Sequence, residues 1–272
     1  MTIYQPRGLS ITLHNEEEFE GMRKAGRLAA EVLDFITPYV KTGNTTDYLN
    51  TLCHDFIINA GAIPAPLNYK GFPKSICTSK NDVICHGIPD DNPLKDGDIM
   101  NIDVTVILDG WHGDTSRMYY VGKPTIKAQK LCITTYESLM LAIEDLAPGK
   151  MLNDIGRTIE SYIAKHSNYS VVRDYCGHGL GKKFHSDPSV IHFANNNKED
   201  DFELKAGMFF TIEPMINAGR YQSILNSKDG WTVSTRDMSL SAQFEHSIGI
   251  TENGAEIFTL SPNNLHCPPY NV

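Results

Sequence analysis

The chain has 272 residues, 41% of them hydrophobic and 21% charged, which suits one large soluble core. A formal net charge of −9 argues against a nucleic-acid binder working through a basic surface. There is no run of about eighteen apolar residues, no apolar stretch of signal-peptide length near the start, and no CxxC among the six cysteines, so a cytoplasmic protein with free thiols and no membrane span is expected.

Residues 1–14 read as a short lead-in arm. Asn15 with Glu18 three residues on has the form of a helix N-cap, and Phe19, Met22, Ala25, Leu28, Ala29, Val32, Leu33 and Ile36 then recur at helical spacing up to Pro38. After the break at Gly43 a second helix is expected from Thr45 or Thr46 to Gly61. The same layout returns about a hundred residues later: a helix over 127–146, a break at Ala147-Pro148-Gly149, then a helix carrying Leu152, Ile155, Ile159 and Ile163. This reads as a weak internal duplication, with halves at about 15–122 and 123–261 of one α/β (α+β) domain, and a tail over 262–272. Chance similarity of helix-turn-helix layout is the other explanation.

The strand pattern is plainer. Ile99–Leu108 is β-branched and alternating, Asp109-Gly110 is a strong hairpin turn, and Trp111 to Val121 returns. Met208 to Ile216 and Gln243 to Thr251 read as two further strands. With a two-residue loop in the hairpin, Leu108 faces Trp111, Thr105 faces Asp114 and Asp103 faces Ser116. Asp103 and Asp114 then share one face on a diagonal, with backbones roughly 7–8 Å apart.

Four acids and one imidazole occupy contexts where isolated charge is unwelcome. Asp103 and Asp114 lie in a largely apolar hairpin, where they repel unless a cation intervenes or the face is solvated. Glu213 and Glu245 lie in strongly apolar strands, where the alternative is a salt bridge to an arginine. His178 sits between Gly177 and Gly179, whose missing side chains let backbones come close; an ordinary surface loop is the alternative. The spacing fits neither a phosphate loop, which needs Ser or Thr after Lys182, nor a dinucleotide fingerprint. Together, four carboxylates match the charge of two divalent cations. An oxygen-rich set with one histidine suits Mn, Fe, Co or Zn in a hydrolytic centre rather than a closed structural zinc site.

At these residues the sequence resembles the type I methionine aminopeptidases, which share the pita-bread fold with proline-specific peptidases and creatinase. The likeness runs from about Ile11 to Leu260. It rests on Cys85-His86-Gly87-Ile88-Pro89, Asn101-Ile102-Asp103-Val104-Thr105, Gly113-Asp114-Thr115-Ser116, Gly177-His178-Gly179-Leu180-Gly181, Thr211-Ile212-Glu213-Pro214-Met215 and Gln243-Phe244-Glu245-His246.

The resemblance implies two pseudo-symmetric halves with a curved antiparallel sheet flanked by helices. It implies two divalent ions (Co, Mn, Fe or Zn), with Asp103 and Asp114 on one, His178 and Glu213 on the other, and Asp114 and Glu245 bridging. A water between the ions would be the nucleophile. Glu213 would carry its proton to the leaving amine, while His86 and His185 would contact the substrate backbone and the developing oxyanion. Tyr69, Phe72, Cys77, Phe184, Met215 and Trp231 would form the methionine pocket, although aromatics at such positions also serve ordinary core packing. Pro66 stands where many bacterial relatives carry a second pocket cysteine, and Phe72 where they often carry tyrosine.

The implied substrates are nascent polypeptides that begin with methionine and a small second residue. The implied setting is a monomer in transient contact with the ribosome, with no nucleic-acid substrate. A proline-directed peptidase of this fold usually carries an additional N-terminal domain, for which 272 residues leave no room. A non-catalytic binding module would have lost metal ligands, and none of the five is substituted here.

Overall fold

The computed structural model describes residues 2–195, 197 and 201–270. Four long helices flank a set of antiparallel strands: α1 (Glu16–Ile36), α2 (Thr46–Asn59), α3 (Ile126–Glu144) and α4 (Asp154–His166). The Asn15 cap of α1 is complete, since its side chain accepts from the Glu18 N–H while the Glu18 carboxylate accepts from the Asn15 N–H. Thr45 and Thr125 cap α2 and α3 in the same sense. The apolar stripe of α1 is buried against the Ile99–Leu108/Trp111–Tyr120 hairpin, with Met22, Ala25, Ala29, Val32 and Leu33 all inaccessible. No helix among the described residues is long and apolar enough to cross a membrane.

The hairpin pairs as its turn requires, from Ile99↔Tyr120 to Leu108↔Trp111, with Asp103 opposite Ser116 and Thr105 opposite Asp114. Cys77–Lys80 pairs on the other side of Ile99–Leu108, with Cys77 opposite Asp103. In the second half, Gly177–Gly179 lies between Ser186–Val190 and Phe209–Ile212, and Phe209–Ile212 pairs next with His246–Ile250.

Two expected strands are each interrupted. Met208 to Ile216 forms Phe209–Ile212 and Met215–Asn217, and Gln243 to Thr251 forms Ser241–Gln243 and His246–Ile250. The register survives the gap, because Ile212 faces His246 before it and Met215 faces Gln243 after it. Pro214 lacks an N–H and cannot donate to the ladder, which breaks the pairing where Glu213 would face Glu245. Glu245 instead pairs with Ser116 of the hairpin, through Glu245 N–H to Ser116 O at 3.1 Å and Ser116 N–H to Glu245 O at 3.4 Å.

That bridge is a seam between strands from the earlier and later parts of the chain, which also meet where Val83–Cys85 pairs with Val233–Thr235. Around it, the Thr115 hydroxyl donates to Glu245 O at 2.7 Å, the Ser247 hydroxyl to Asp114 O at 2.7 Å, and Asn101 Nδ2 to Gln243 O at 2.8 Å. α1 presses on the hairpin just before Asp114: a Cβ at Gly113 would lie 2.2 Å from Ala25 O, so only glycine admits this approach.

The tail has no helix or strand over 262–270, yet it is tied down. Arg117 and Asp34 form a buried ion pair, and the Ser261 hydroxyl donates to the same carboxylate at 2.8 Å. The Tyr270 hydroxyl donates to Met118 O at 2.9 Å.

Candidate metal centre and substrate cleft

Across the seam the pairing runs in two adjacent rows. One row reads Cys77, Asp103, Ser116, Glu245, with Glu213 across the interrupted ladder. The next, two residues along each strand, reads Thr105, Asp114, Ser247, Thr211. His178 stands beside Thr211, whose hydroxyl accepts from the His178 N–H at 3.0 Å. A period of two puts alternate residues of a strand on one face, so the five sequence-predicted ligands gather on a single face. The intervening hydroxyls orient them, Thr105 donating to Asp114 Oδ1 at 2.7 Å and Thr211 to Glu213 Oε1 at 2.9 Å. Gln243 Nε2 holds the other oxygen of Glu213 at 3.2 Å.

The glycines around His178 are required by contact. A Cβ at Gly177 would lie 2.3 Å from Thr211 O, and one at Gly179 would lie 2.0 Å from Asp187 O. The His178 backbone is thereby pressed between two strands, and its ring points among the acids: Nε2 is 3.6 Å from Asp114 Oδ2 and 3.7 Å from Glu213 Oε1. Ligand atoms of Asp114, His178 and Glu245 all lie within 4.8 Å of one another.

The electrostatics define what this cluster accepts. Burial pushes Asp103 up to about 7. Asp114, Glu213 and Glu245 are held well above the usual carboxylate range, first by burial and then by the charge of neighbouring acids. Burial lowers His178 to about 4, so its imidazole is neutral. Its Nδ1 lies 3.2 Å from Gly179 O, which assigns the proton to Nδ1 and leaves a lone pair on Nε2. That lone pair faces oxygens of Asp114 and Glu213, which in their ionised forms are likewise acceptors only. Donors so arranged fit a divalent cation between them, and among the described residues no lysine or arginine forms an ion pair with these acids.

The face forms the floor of a cleft of about 780 Å³. Every residue expected to contact substrate lines it: Tyr69, Phe72, Cys77, His86, Phe184, His185, Met215 and Trp231. Phe72 meets Trp231 edge-on with centroids 5.2 Å apart, and His86 stands 6.2 Å from Trp231. Burial and the charge of Asp103 raise the Cys77 thiol well above its ordinary pKa and keep it neutral. His86 has φ +56°, a conformation rare for a residue with a Cβ, and Gly87 follows because a Cβ there would lie 2.1 Å from Thr78 O.

His185 lies at the exposed rim, its ring 4.1 Å from that of His178, with Nδ1 3.0 Å from the Tyr69 hydroxyl. Partial desolvation and the neighbouring His178 ring both depress its pKa. Thr105, Thr211, Gln243 and His192 hydrogen-bond to the acidic residues, Tyr175 lines the cleft, and none of the five was expected from sequence. The two threonines lie two residues from Asp103 and Glu213, and that same-face spacing is a readable signal.

A cation-binding cluster of acids and one imidazole, on the floor of an apolar-walled cleft, defines a hydrolytic metalloenzyme of the pita-bread architecture. The chain belongs to metallopeptidase family M24, whose model matches residues 20–252. It is 63% identical over 262 residues to a methionine aminopeptidase of Rickettsia prowazekii, covering 96% of this chain and all of that one. It is 55% identical to the methionine aminopeptidase of Escherichia coli K12, covering 93% of this chain and 95% of that protein. The crystal structure of the Rickettsia prowazekii enzyme superposes with a TM-score of 0.89, at 64% identity over 92% of this chain and all of that chain. A prolidase from Pyrococcus furiosus shares the fold at TM-score 0.72 and 20% identity, with 91% of this chain covering 65% of that one.

Proposed function

We propose that the chain removes the N-terminal methionine from polypeptides by hydrolysis, with two divalent ions held by Asp103, Asp114, His178, Glu213 and Glu245. The observation that carries this reading is the neutral His178 Nε2 directed at two buried carboxylates. Ions held there supply the positive charge that polarises the scissile carbonyl and makes a water acidic enough to attack.

The chain's own groups do the rest. Glu213 has both oxygens oriented, by Thr211 and Gln243, and takes the proton of the attacking water and passes it to the leaving amine. The Tyr69 hydroxyl is 3.0 Å from His185 Nδ1 and orients the ring; in the tautomer that accepts from Tyr69, the His185 proton is on Nε2. That N–H meets the carbonyl oxygen as it becomes an oxyanion, a contact typically worth about 2.7–4 kcal/mol. His86, neutral because burial lowers its pKa, hydrogen-bonds the substrate backbone beside the scissile bond.

The pocket selects methionine. Tyr69, Phe72, Phe184, Met215, Trp231 and the neutral Cys77 thiol offer aromatic edges and polarizable sulfur to an uncharged thioether. A free terminal amine carries a lone pair that a bound ion would accept in place of water, and an internal peptide offers none, so cleavage would be confined to chain ends. A small second residue, a monomeric cytoplasmic enzyme and brief contact with the ribosome complete the reading.

Hydrolysis of Met-Ala-Ser and Ala-Pro-Ser by apoprotein reconstituted with Mn, Co, Fe or Zn tests it. Metal-dependent release of methionine from the first peptide alone is expected. Cleavage before proline, or none with any ion, would refute it.

A further inference from the structure

Glu213 stands where two ladders have ended. Its strand pairs with Gly177–Gly179 at Phe210↔Gly179, and its pairing with His246–Ile250 stops at Ile212↔His246. Pro214 follows, and Glu245 has turned its backbone to Ser116. The Glu213 N–H is therefore without a strand partner at a part-buried site where an unpaired donor is unfavourable. His192 supplies the acceptor: its Nε2 receives the Glu213 N–H at 3.1 Å.

His192 is 1% exposed, and burial lowers its pKa to about 3, so it is a neutral ring with the proton on Nδ1. That Nδ1 is itself buried without a hydrogen-bond partner. An imidazole with one nitrogen unsatisfied is a poor choice for packing alone, because an apolar side chain of similar size would avoid the desolvation of Nδ1. The hydrogen bond at its Nε2 comes from the backbone of a residue whose carboxylate faces His178.

We infer that His192 is a positioning residue for Glu213: its Nε2 replaces the strand hydrogen bond lost at the Glu213-Pro214 break and fixes the Glu213 carboxylate against the His178 side of the centre. This rests on Glu213 acting as described under the proposed function. The role needs an acceptor at the Nε2 position and not an ionisable ring, so glutamine, whose Oε1 reaches about as far as Nε2, fills it. Asparagine is too short, and leucine offers no acceptor.

The test uses apoproteins of the wild type and of H192Q, H192N and H192L. Each is titrated with Co, followed by visible absorption and calorimetry, each is melted without metal, and kcat and KM are measured on Met-Ala-Ser. H192L and H192N are expected to lose about tenfold or more in affinity at one Co step, within the usual range for groups that orient ligands. Their kcat should fall with little change in KM, while H192Q remains near wild type in both readouts. If H192L fails to fold, the H192Q and H192N pair carries the comparison.

Wild-type Co affinity and turnover in H192N or H192L, or a Co loss in H192Q equal to that of H192N at an unchanged apoprotein melting temperature, would overturn the inference alone. A wild-type protein that takes up no Co and releases no methionine would overturn the functional reading, and this inference with it.

Discussion

Removing the metal should leave the protein with a stability that falls as pH rises through neutrality. The four carboxyls of the centre have folded pKa values raised above their unfolded ones, so the folded apoprotein holds protons that the unfolded chain has released. Their contribution is fully present below the unfolded pKa and is lost as pH climbs through the folded value. Buried histidines act in the opposite sense. His178, His192 and His246 have depressed folded values, so the stability they contribute is present above the unfolded pKa of about 6.5 and is lost on acidification. Between pH 6.5 and 8 each such histidine goes from half protonated to nearly neutral in the unfolded chain, a gain of under about half a kcal/mol that opposes the larger loss at each carboxyl. For Asp103, raised to about 7, the loss across this window is on the order of 1 kcal/mol, and the other three acids add to it in the same direction. Urea unfolding of apoprotein and Mn-loaded protein at pH 6.5, 7.2 and 8 measures the effect. The apoprotein should weaken with pH while the loaded protein stays level, since bound ions keep the acids ionised. An apoprotein profile that is flat or rising would refute the electrostatic account of the centre.

Asp114→Ala should abolish stoichiometric metal uptake and nearly all turnover; near-normal turnover in that variant would be incompatible with a dinuclear centre. His185→Ala should lower kcat by about 10²–10³ while calorimetry finds metal binding close to normal. Gly179→Ala forces a Cβ to within 2.0 Å of Asp187 O, so a loss of about 1–3 kcal/mol in urea unfolding and a weaker metal step are expected. Asp34→Ala strands the Arg117 guanidinium, 2% exposed, and should destabilise by about 3–5 kcal/mol in the same assay.

The helices and the hairpin were legible because their signals are local. Asn15 and Glu18 announce a start, an apolar stripe announces a face, and Asp109-Gly110 fixes a register that carries Asp103 and Asp114 onto one side. The interruptions at Glu213 and Glu245 were not legible. A proline after an apolar run reads as an edge or bulge, but only the opposing strand shows that Ser116 takes over the pairing at that point. The tail looked like an irregular extension for a similar reason: the partner of Ser261, the carboxylate of Asp34, is 227 positions away. His192 left no trace at all, since nothing in its neighbourhood marks a backbone N–H in another strand as its partner. The candidate ligands were recognisable as misplaced charges in apolar strands, and their convergence became visible only with the pairing across the seam.

That seam has a consequence for when activity can begin. Asp103 and Asp114 are made first, His178 and Glu213 later, and Glu245 last of the five. Glu245 also supplies the backbone pairing to Ser116 that closes the two strand sets on each other. During synthesis, therefore, no partial product carries the complete centre, however well its first half has folded. The proposed hydrolytic site comes into being only once Glu245 has been made and paired, and a newly made molecule cannot act on any peptide end, its own included, before then.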